Sequence, residues 1–140
     1  MEIKFAASGD IEKIFELSAL NFDWTKEGIE GAFKSKNIIL KAEENGRLVG
    51  FLIAADLVDS YNLLLVAVKE EQRRKGIASK LIEKLEELAK EKDIEKIWLE
   101  VRESNFKAIG LYQKNNYKNI YTRKKYYFDG ENALIFEKEI

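Results

Sequence analysis

Residues 70–81 read EEQRRKGIASKL, and the fold turns on whether that stretch is a solvated charge run or the loop that opens a helix. Just before it, YNLLLVAV (61–68) is a nearly continuous apolar run, as expected of a strand covered on both faces. Just after it, Ile77, Leu81, Ile82, Leu85, Leu88 and Ala89 keep one apolar stripe at helical spacing, which predicts a helix from about Ile77 to Lys92. The quoted stretch is therefore a strand-to-helix loop, with Gly76 at the helix start. The first N–H groups of a helix have no intrahelical partner, and the helix dipole adds partial positive charge there, so such a loop can hold an anion. Glycine lets a bulky phosphate approach the backbone, and Ala78 keeps the next inward position small. Arg73, Arg74 and Lys75 can add charge-assisted contacts. The stretch lacks the GKS or GKT ending of a P-loop and is not GxGxxG. Taken alone, a solvated basic helix cap explains it about as well.

The neighbouring elements can be placed in the same way. IKFAA (3–7) alternates as a first strand, and Ser8-Gly9-Asp10 caps a helix with Ile11, Ile14, Phe15, Leu17 and Leu20 inward. A second helix follows Asp23-Trp24-Thr25, with Thr25 as cap and Ile29, Ala32 and Phe33 inward. Residues 37–58 read as two strands joined at Asn45-Gly46, a strong hairpin signal. KIWLEV (96–101) is a strand, Ser104-Asn105 caps a short helix through Ala108, Ile109, Leu111 and Tyr112, and strands near Tyr117–Thr122 and Ala133–Lys138 close the chain. The order β-α-α-β-β-β-α-β-α-β-β predicts a mixed α/β fold in one domain, 1–140.

Composition narrows the chemistry. The chain has 140 residues, a formal net charge of -1, no cysteine and no histidine. Near-neutral charge gives no general pull toward nucleic acid or membrane, so any basic site is local. Without Cys and His there is no disulfide, no thiolate or imidazole metal ligand and no Ser-His or Cys-His pair. Any proton transfer must run through Asp, Glu, Lys or Tyr. No apolar run nears the roughly 20 residues that span a bilayer, and MEIKFAASGDIEK carries acids where a signal peptide is basic, so a cytoplasmic protein is expected.

LLVAVKEEQRRKGIASKLIEKL (64–85) resembles the acetyl-coenzyme A motif of the GNAT acyltransferases, usually Gln/Arg-x-x-Gly-x-Gly/Ala after the fourth strand. WLEVRESNFKAIGLYQKNNY (98–117) is similar to the fifth strand and following helix of the RimI-like N-terminal acetyltransferases. FDWTKE (22–27) and RKKYYFDGENALIF (123–136) resemble their early substrate loop and their Tyr-Tyr segment. The resemblance spans nearly the whole chain. It implies a GNAT fold: a mostly antiparallel twisted sheet of about seven strands, the fourth and fifth splayed, flanked by about four helices. It implies acetyl-CoA as cosubstrate and no metal. Val66, Ala67 and Val68 would give backbone contacts to pantetheine, Arg73, Arg74, Lys75, Gly76, Ile77, Ala78 and Ser79 would cradle the pyrophosphate, and Asn105 would touch the coenzyme. Glu100 matches the family's proton acceptor and Tyr112 its general acid. Trp24, Tyr126 and Tyr127 fall in the segments that flank the peptide groove. The implied acceptor is the peptide N-terminus of a protein substrate, most familiarly a ribosomal protein beginning with alanine. A monomer or weak dimer is expected.

The residues also allow blander readings. Glu100 can simply point to solvent between Leu99 and Val101, Tyr112 can be core, Asn105 can be only a helix cap, and Trp24 can be packing. An α-amine of pKa near 8 is far easier to deprotonate than a lysine near 10.4, so a carboxylate base can serve it without histidine. A backbone N–H at Val68 or nearby would serve the carbonyl oxygen as an oxyanion donor. The chain departs from the family at Lys69-Glu70, where proline is usual, which should leave the loop freer. It departs again at Asn116-Tyr117, in place of Gly-Phe, and at Glu131-Asn132, one charge short of the usual acidic pair. A GNAT enzyme acting on a lysine side chain or small amine is the near alternative. A non-catalytic coenzyme-binding module ranks below both, and nucleic-acid binding by RRK and RKK is weaker still.

Overall fold

The computed structural model describes residues 1–20 and 24–140. Seven strands form one sheet: β1 (Glu2–Phe5), β2 (Asn37–Glu44), β3 (Arg47–Asp56), β4 (Ser60–Val68), β5 (Lys96–Arg102), β6 (Lys118–Arg123) and β7 (Ala133–Glu139). Four helices flank it among the described residues: α1 (Ile11–Ala19), α2 (Lys26–Lys34), α3 (Ile77–Glu91) and α4 (Phe106–Lys114). The spatial order is β1-β2-β3-β4-β5-β7-β6, antiparallel throughout except for the parallel β4–β5 contact. This is the expected mixed α/β fold. Among the described residues no helix is long and apolar enough to cross a membrane.

Alternation divides the core in two. Leu40, Leu52, Leu63, Ile97, Leu99, Val101 and Phe136 face α3 and α4, meeting Leu81, Ile82, Leu85 and Tyr112. Ile39, Phe51, Ile53, Leu65 and Ala67 face the other way, meeting Ile14 and Leu17 of α1 and Ile29 and Ala32 of α2. The helix pair α1–α2 therefore covers β2, β3 and β4. The same face of β5, β7 and β6, with Trp98, Glu100 and Arg102, stays half-open.

Several expectations shift in detail. Asp10 ends a short 3-10 turn (Ser8–Asp10) instead of capping α1, because its carboxylate is taken by the Ala7 N–H at 2.8 Å and Lys41 Nζ at 3.1 Å. Leu20 is 80% exposed, since α1 has already ended. Thr25 does cap α2, its hydroxyl accepting from the Gly28 N–H at 3.0 Å. The Asn45-Gly46 hairpin forms, with both residues at positive φ. β4 is not covered on both faces throughout. The register slips between Ile53 and Ala54, so Leu64 is the extra bulged residue and is 39% exposed.

Both long-range helix ends close without glycine. After α3, Asp93 turns left-handed (φ 56) and the Ile94 N–H reaches back to the Ala89 carbonyl at 2.9 Å. After α4, Asn116 does the same (φ 70), with Tyr117 N–H to the Tyr112 carbonyl at 2.9 Å. That ending delays β6 to Lys118. β6 itself is an edge strand with a bulge between Asn119 and Tyr121.

Tyr61 is fully buried at the start of β4, and its hydroxyl has no hydrogen-bond partner among the described residues. Burial first, then the charge of Asp56, push its phenol up from the ordinary value. Removing the hydroxyl removes a desolvation penalty. Tyr61→Phe is expected to leave stability unchanged or raise it by about 1 kcal/mol in denaturant unfolding, and a loss of that size would mean the hydroxyl is bonded.

Candidate active site

β4 and β5 pair only at Ser60↔Lys96, Tyr61↔Ile97 and Asn62↔Trp98. Beyond those residues the strands part, and β5 keeps its full ladder with β7 up to Arg102↔Ala133. The backbone edge of β4 from Leu63 to Val68 therefore has no strand partner on the β5 side. This is a wedge lined by main chain, able to accept an extended amide-bearing chain as a strand would.

The quoted loop stands at the wedge's open end. Lys69–Gly76 carries a 3-10 turn (Glu70–Gln72), then Arg74 at φ 68 and Gly76 at φ 76, both left-handed. Gly76 is the N-cap of α3 and offers no side-chain cap. The space over it is open, with no atom within 4 Å of where a Cβ would stand, so a side chain there is disfavoured by the backbone turn rather than by neighbours. The loop is not freer for want of proline. The Lys69 N–H, which proline would lack, donates to the Val49 carbonyl at 2.8 Å. Arg73 Nε donates to the Val68 carbonyl at 3.2 Å and Lys75 Nζ to Gln72 Oε1 at 3.0 Å, so both side chains brace the loop. Ile77 is buried, Ala78 half-buried, and the Ser79 hydroxyl accepts from Asn115 Nδ2 at 3.1 Å, tying α4 to the first turn of α3.

Sequence reasoning passed over Gly50. A Cβ there would lie 3.0 Å from the Ala67 carbonyl oxygen, 3.3 Å from Val68 Cγ2 and 3.4 Å from Ile77 Cγ2. Its bareness lets the end of β4 and the start of α3 close over β3. A glycine inside an otherwise apolar strand was the available signal.

Glu100 and Tyr112 lie on opposite sides of the sheet. Tyr112 lies in the α3–α4 core, its ring 6.2 Å from Tyr117 and 6.4 Å from Phe136 between centroids. Burial alone pushes its phenol up to about 12, so it keeps its proton well past neutral pH. Tyr117 is pushed up as well, by burial and then by Glu86, which accepts its hydroxyl at 3.0 Å. Glu100 lies on the half-open face, between Leu99 and Val101, which are buried. Solvent is only part of its surroundings, because Arg123 Nη1 stands 3.8 Å from its carboxylate.

Tyr126 and Tyr127 fold back over that face. Their rings meet edge-on at 5.1 Å. The Arg123 guanidinium lies 5.4 Å over Tyr126, and that of Arg102 lies 4.0 Å over Tyr127. Burial and then the charge of Glu100 raise the Tyr127 phenol, against the pull of Arg102. Four of these groups thus ring Glu100's side of the sheet. The sequence had named the tyrosines and Glu100 but not the two arginines, which only the folded register brings together on either side of Ala133. Asn105 caps α4, accepting from the Ala108 N–H at 3.2 Å. Trp24 is half-buried against the α1–α2 core with Ile29, at the staple position before the Thr25 cap. Nothing places it beside Glu100, and Phe22 and Asp23 of the same expected loop lie outside the described residues. Two clefts, of about 430 and 390 Å³, flank the outer side of the loop near Lys13, Leu17 and Lys69 and near Arg47, Lys69 and Gln72. Neither is lined by Glu100 or Tyr112, and the wedge is the better candidate because it joins an open strand edge to a bare helix start.

The acetyltransferase (GNAT) family profile matches residues 10–117. The chain belongs to the GNAT acetyltransferase family. It is 35% identical over 134 residues to a putative ribosomal protein bS18-alanine N-acetyltransferase of Bacillus subtilis, covering 90% of this chain and 87% of that one. It is 42% identical over 85 residues to an N-alpha-acetyltransferase of Saccharolobus solfataricus, a match spanning 60% of this chain and about half (51%) of that relative. The crystal structure of the ribosomal-protein-S18-alanine N-acetyltransferase from Escherichia coli superposes with a TM-score of 0.91 at 26% identity, over 99% of this chain and 93% of that one. The RimI-like resemblance and the GNAT fold with its parted central strands are thereby established, and the chain is an N-acetyltransferase by family.

Gly50→Ala forces backbone apart and is expected to lower stability by about 1–3 kcal/mol. Denaturant unfolding checks this, and an unchanged midpoint would mean that β3 and β4 can separate there freely.

Proposed function

We propose that this protein transfers an acetyl group from acetyl-CoA to the free α-amine of a polypeptide N-terminus, with a ribosomal protein beginning in alanine as the first candidate acceptor. The observation that carries the reading is Glu100, held on the half-open face among Arg123, Tyr126 and Tyr127 while Tyr112 lies on the other face. The names of the Bacillus, Saccharolobus and Escherichia proteins support the same class of acceptor.

The wedge suits the cosubstrate. The β4 edge at Val66, Ala67 and Val68, which has no strand partner on the β5 side although Arg73 holds the Val68 carbonyl, fits the amides of a pantetheine arm, and the uncapped start of α3 with Gly76, Ile77, Ala78 and Ser79 fits a pyrophosphate. Arg74 adds positive charge to the same loop, and Asn105 at the start of α4 borders the other side. Bound acetyl-CoA would supply the activated acetyl thioester. Glu100 takes the proton of the acceptor ammonium, directly or through one water, which is undemanding for an α-amine near pKa 8. Tyr112 holds a neutral hydroxyl on the opposite face for the departing sulfur. With the phenol pushed up to about 12, full transfer to a thiolate is uphill, so Tyr112 acts chiefly by donating a hydrogen bond that stabilises the sulfur's developing charge, and solvent supplies the thiol proton on release. Tyr126 and Tyr127 hold the first residues of the acceptor.

Two peptide sets incubated with acetyl-CoA and read by mass spectrometry test the acceptor. Free N-termini beginning Ala, Ser, Gly or Met should be acetylated, while blocked peptides with internal lysines should not. Modification of the blocked set alone would move the assignment to lysine. Glu100→Gln should lower kcat by about a hundredfold or more, with acetyl-CoA affinity kept. Tyr112→Phe should lower turnover likewise, and an unaltered rate would return Tyr112 to a purely packing role.

A further inference from the structure

The turn after β5 and the loop before β7 are stitched together by polar contacts that the acetyl-transfer reading does not itself require. Arg102 Nη1 donates to Asp129 Oδ2 and to Glu131 Oε1, each at 2.9 Å. The second oxygen of Glu131 accepts the Ser104 N–H at 2.8 Å. Hydrogen bonds from Ser104 and from Arg102 hold the Glu131 carboxyl below the usual carboxylate range. The Glu103 N–H donates to the Asn132 carbonyl at 3.1 Å, and Asn132 Nδ2 returns to Glu103 Oε2 at 3.1 Å. Asp129 also accepts the Glu131 N–H at 3.0 Å. Residues 102–104 and 129–132 therefore behave as one clasp.

Arg102 is the centre of it. One edge of its guanidinium meets two carboxylates, and its flat face lies 4.0 Å over the Tyr127 ring. A planar guanidinium can donate in its plane and stack across its face at once. Tyr127 in turn meets Tyr126 edge-on. We propose that Arg102 is a positioning residue for the acceptor: it fixes Tyr127, and through it Tyr126, as a preset wall beside Glu100. The inference rests on the proposed acetyl transfer for the meaning of that wall, but the clasp itself can be judged without any acceptor. A wall already in place spares the acceptor the ordering that binding would otherwise require.

The consequence is selective. The hydrogen bonds and ring contact of Arg102 go to Asp129, Glu131 and Tyr127, not to the uncapped start of α3 or the open edge of β4. Arg102→Lys keeps the charge but loses the planar face that stacks on Tyr127. It should raise KM for the acceptor peptide about tenfold while leaving kcat and acetyl-CoA affinity within about twofold. In a Tyr127→Ala background the same substitution should add nothing to KM, whereas in Tyr127→Phe, which keeps the ring, it should still act. Hydrogen–deuterium exchange read by mass spectrometry supplies the acceptor-free measurement: residues 124–132 should exchange about tenfold faster in Arg102→Lys, with α3 unchanged.

An unchanged acceptor KM overturns the proposal. So does a parallel loss of acetyl-CoA affinity and melting temperature, which marks general destabilisation, or an additive loss with Tyr127→Ala. Should the unaltered protein acetylate no free N-terminus, the functional reading fails by itself. Exchange in the loop then still decides the clasp: faster exchange confined to it sustains the positioning role, and no change removes it.

Discussion

Everything in this structure is arranged around a pairing that stops short. β4 and β5 run parallel for Ser60–Asn62 against Lys96–Trp98 and then separate. A sheet normally gains by continuing such a ladder, because unpaired backbone N–H and C=O groups away from water are costly. Here the ladder is interrupted on one side only. β4 stays paired with β3 as far as Gly50↔Val68, and β5 with β7 as far as Arg102↔Ala133. Each strand is thus held firmly by its outer neighbour, and the opening is rigid rather than frayed. The bare Gly50 and buried Ile77 let α3 begin over the end of β4, so an uncapped helix start is set at the mouth of the opening.

The split also sorts the chemistry by face. Because strand side chains alternate, Leu99 and Val101 join Tyr112 and Phe136 in one core while Glu100 must point the other way. The α1–α2 pair covers only β2 to β4 on Glu100's side, so a carboxylate can remain there beside Arg123 without being sealed in apolar surroundings. A buried unpaired charge would not be tolerated.

How much of this could be read from residues alone depended on the range of the forces involved. Helix stripes, the Asn45-Gly46 hairpin, the Thr25 cap and the Gly76 loop are set by local geometry, and each was legible. The family profile and relatives bear out the fold and the enzyme class. What escaped was relational. Leu64 is an apolar residue in an apolar run, and only the slip against β3 turns it outward. Asp10 has the composition of a helix cap, but Lys41, far away in sequence, competes for its carboxylate. Arg102 and Arg123 read as ordinary surface charge until two tyrosines fold over them. Glu131 and Asn132, one acid short of the family habit, look like a substrate feature in sequence. In the folded chain both are engaged in holding the loop to β5.

The bulge in β6 carries a consequence beyond the single molecule. β6 is the outer edge of the sheet, and a flat strand there would offer its unpaired backbone to a second copy. The slip between Asn119 and Tyr121 bends that edge, and Lys118 and Arg123 place like charges at its two ends. At the opposite margin β1 is only four residues long and alternates Glu2 with Lys4. Ile120 and Tyr121 are exposed on this rim, yet the backbone that would let them seed strand-by-strand growth is twisted out of register. The edge that bears Arg123 is thus also where the sheet stops, with a bulge and like charges set against the addition of a further strand.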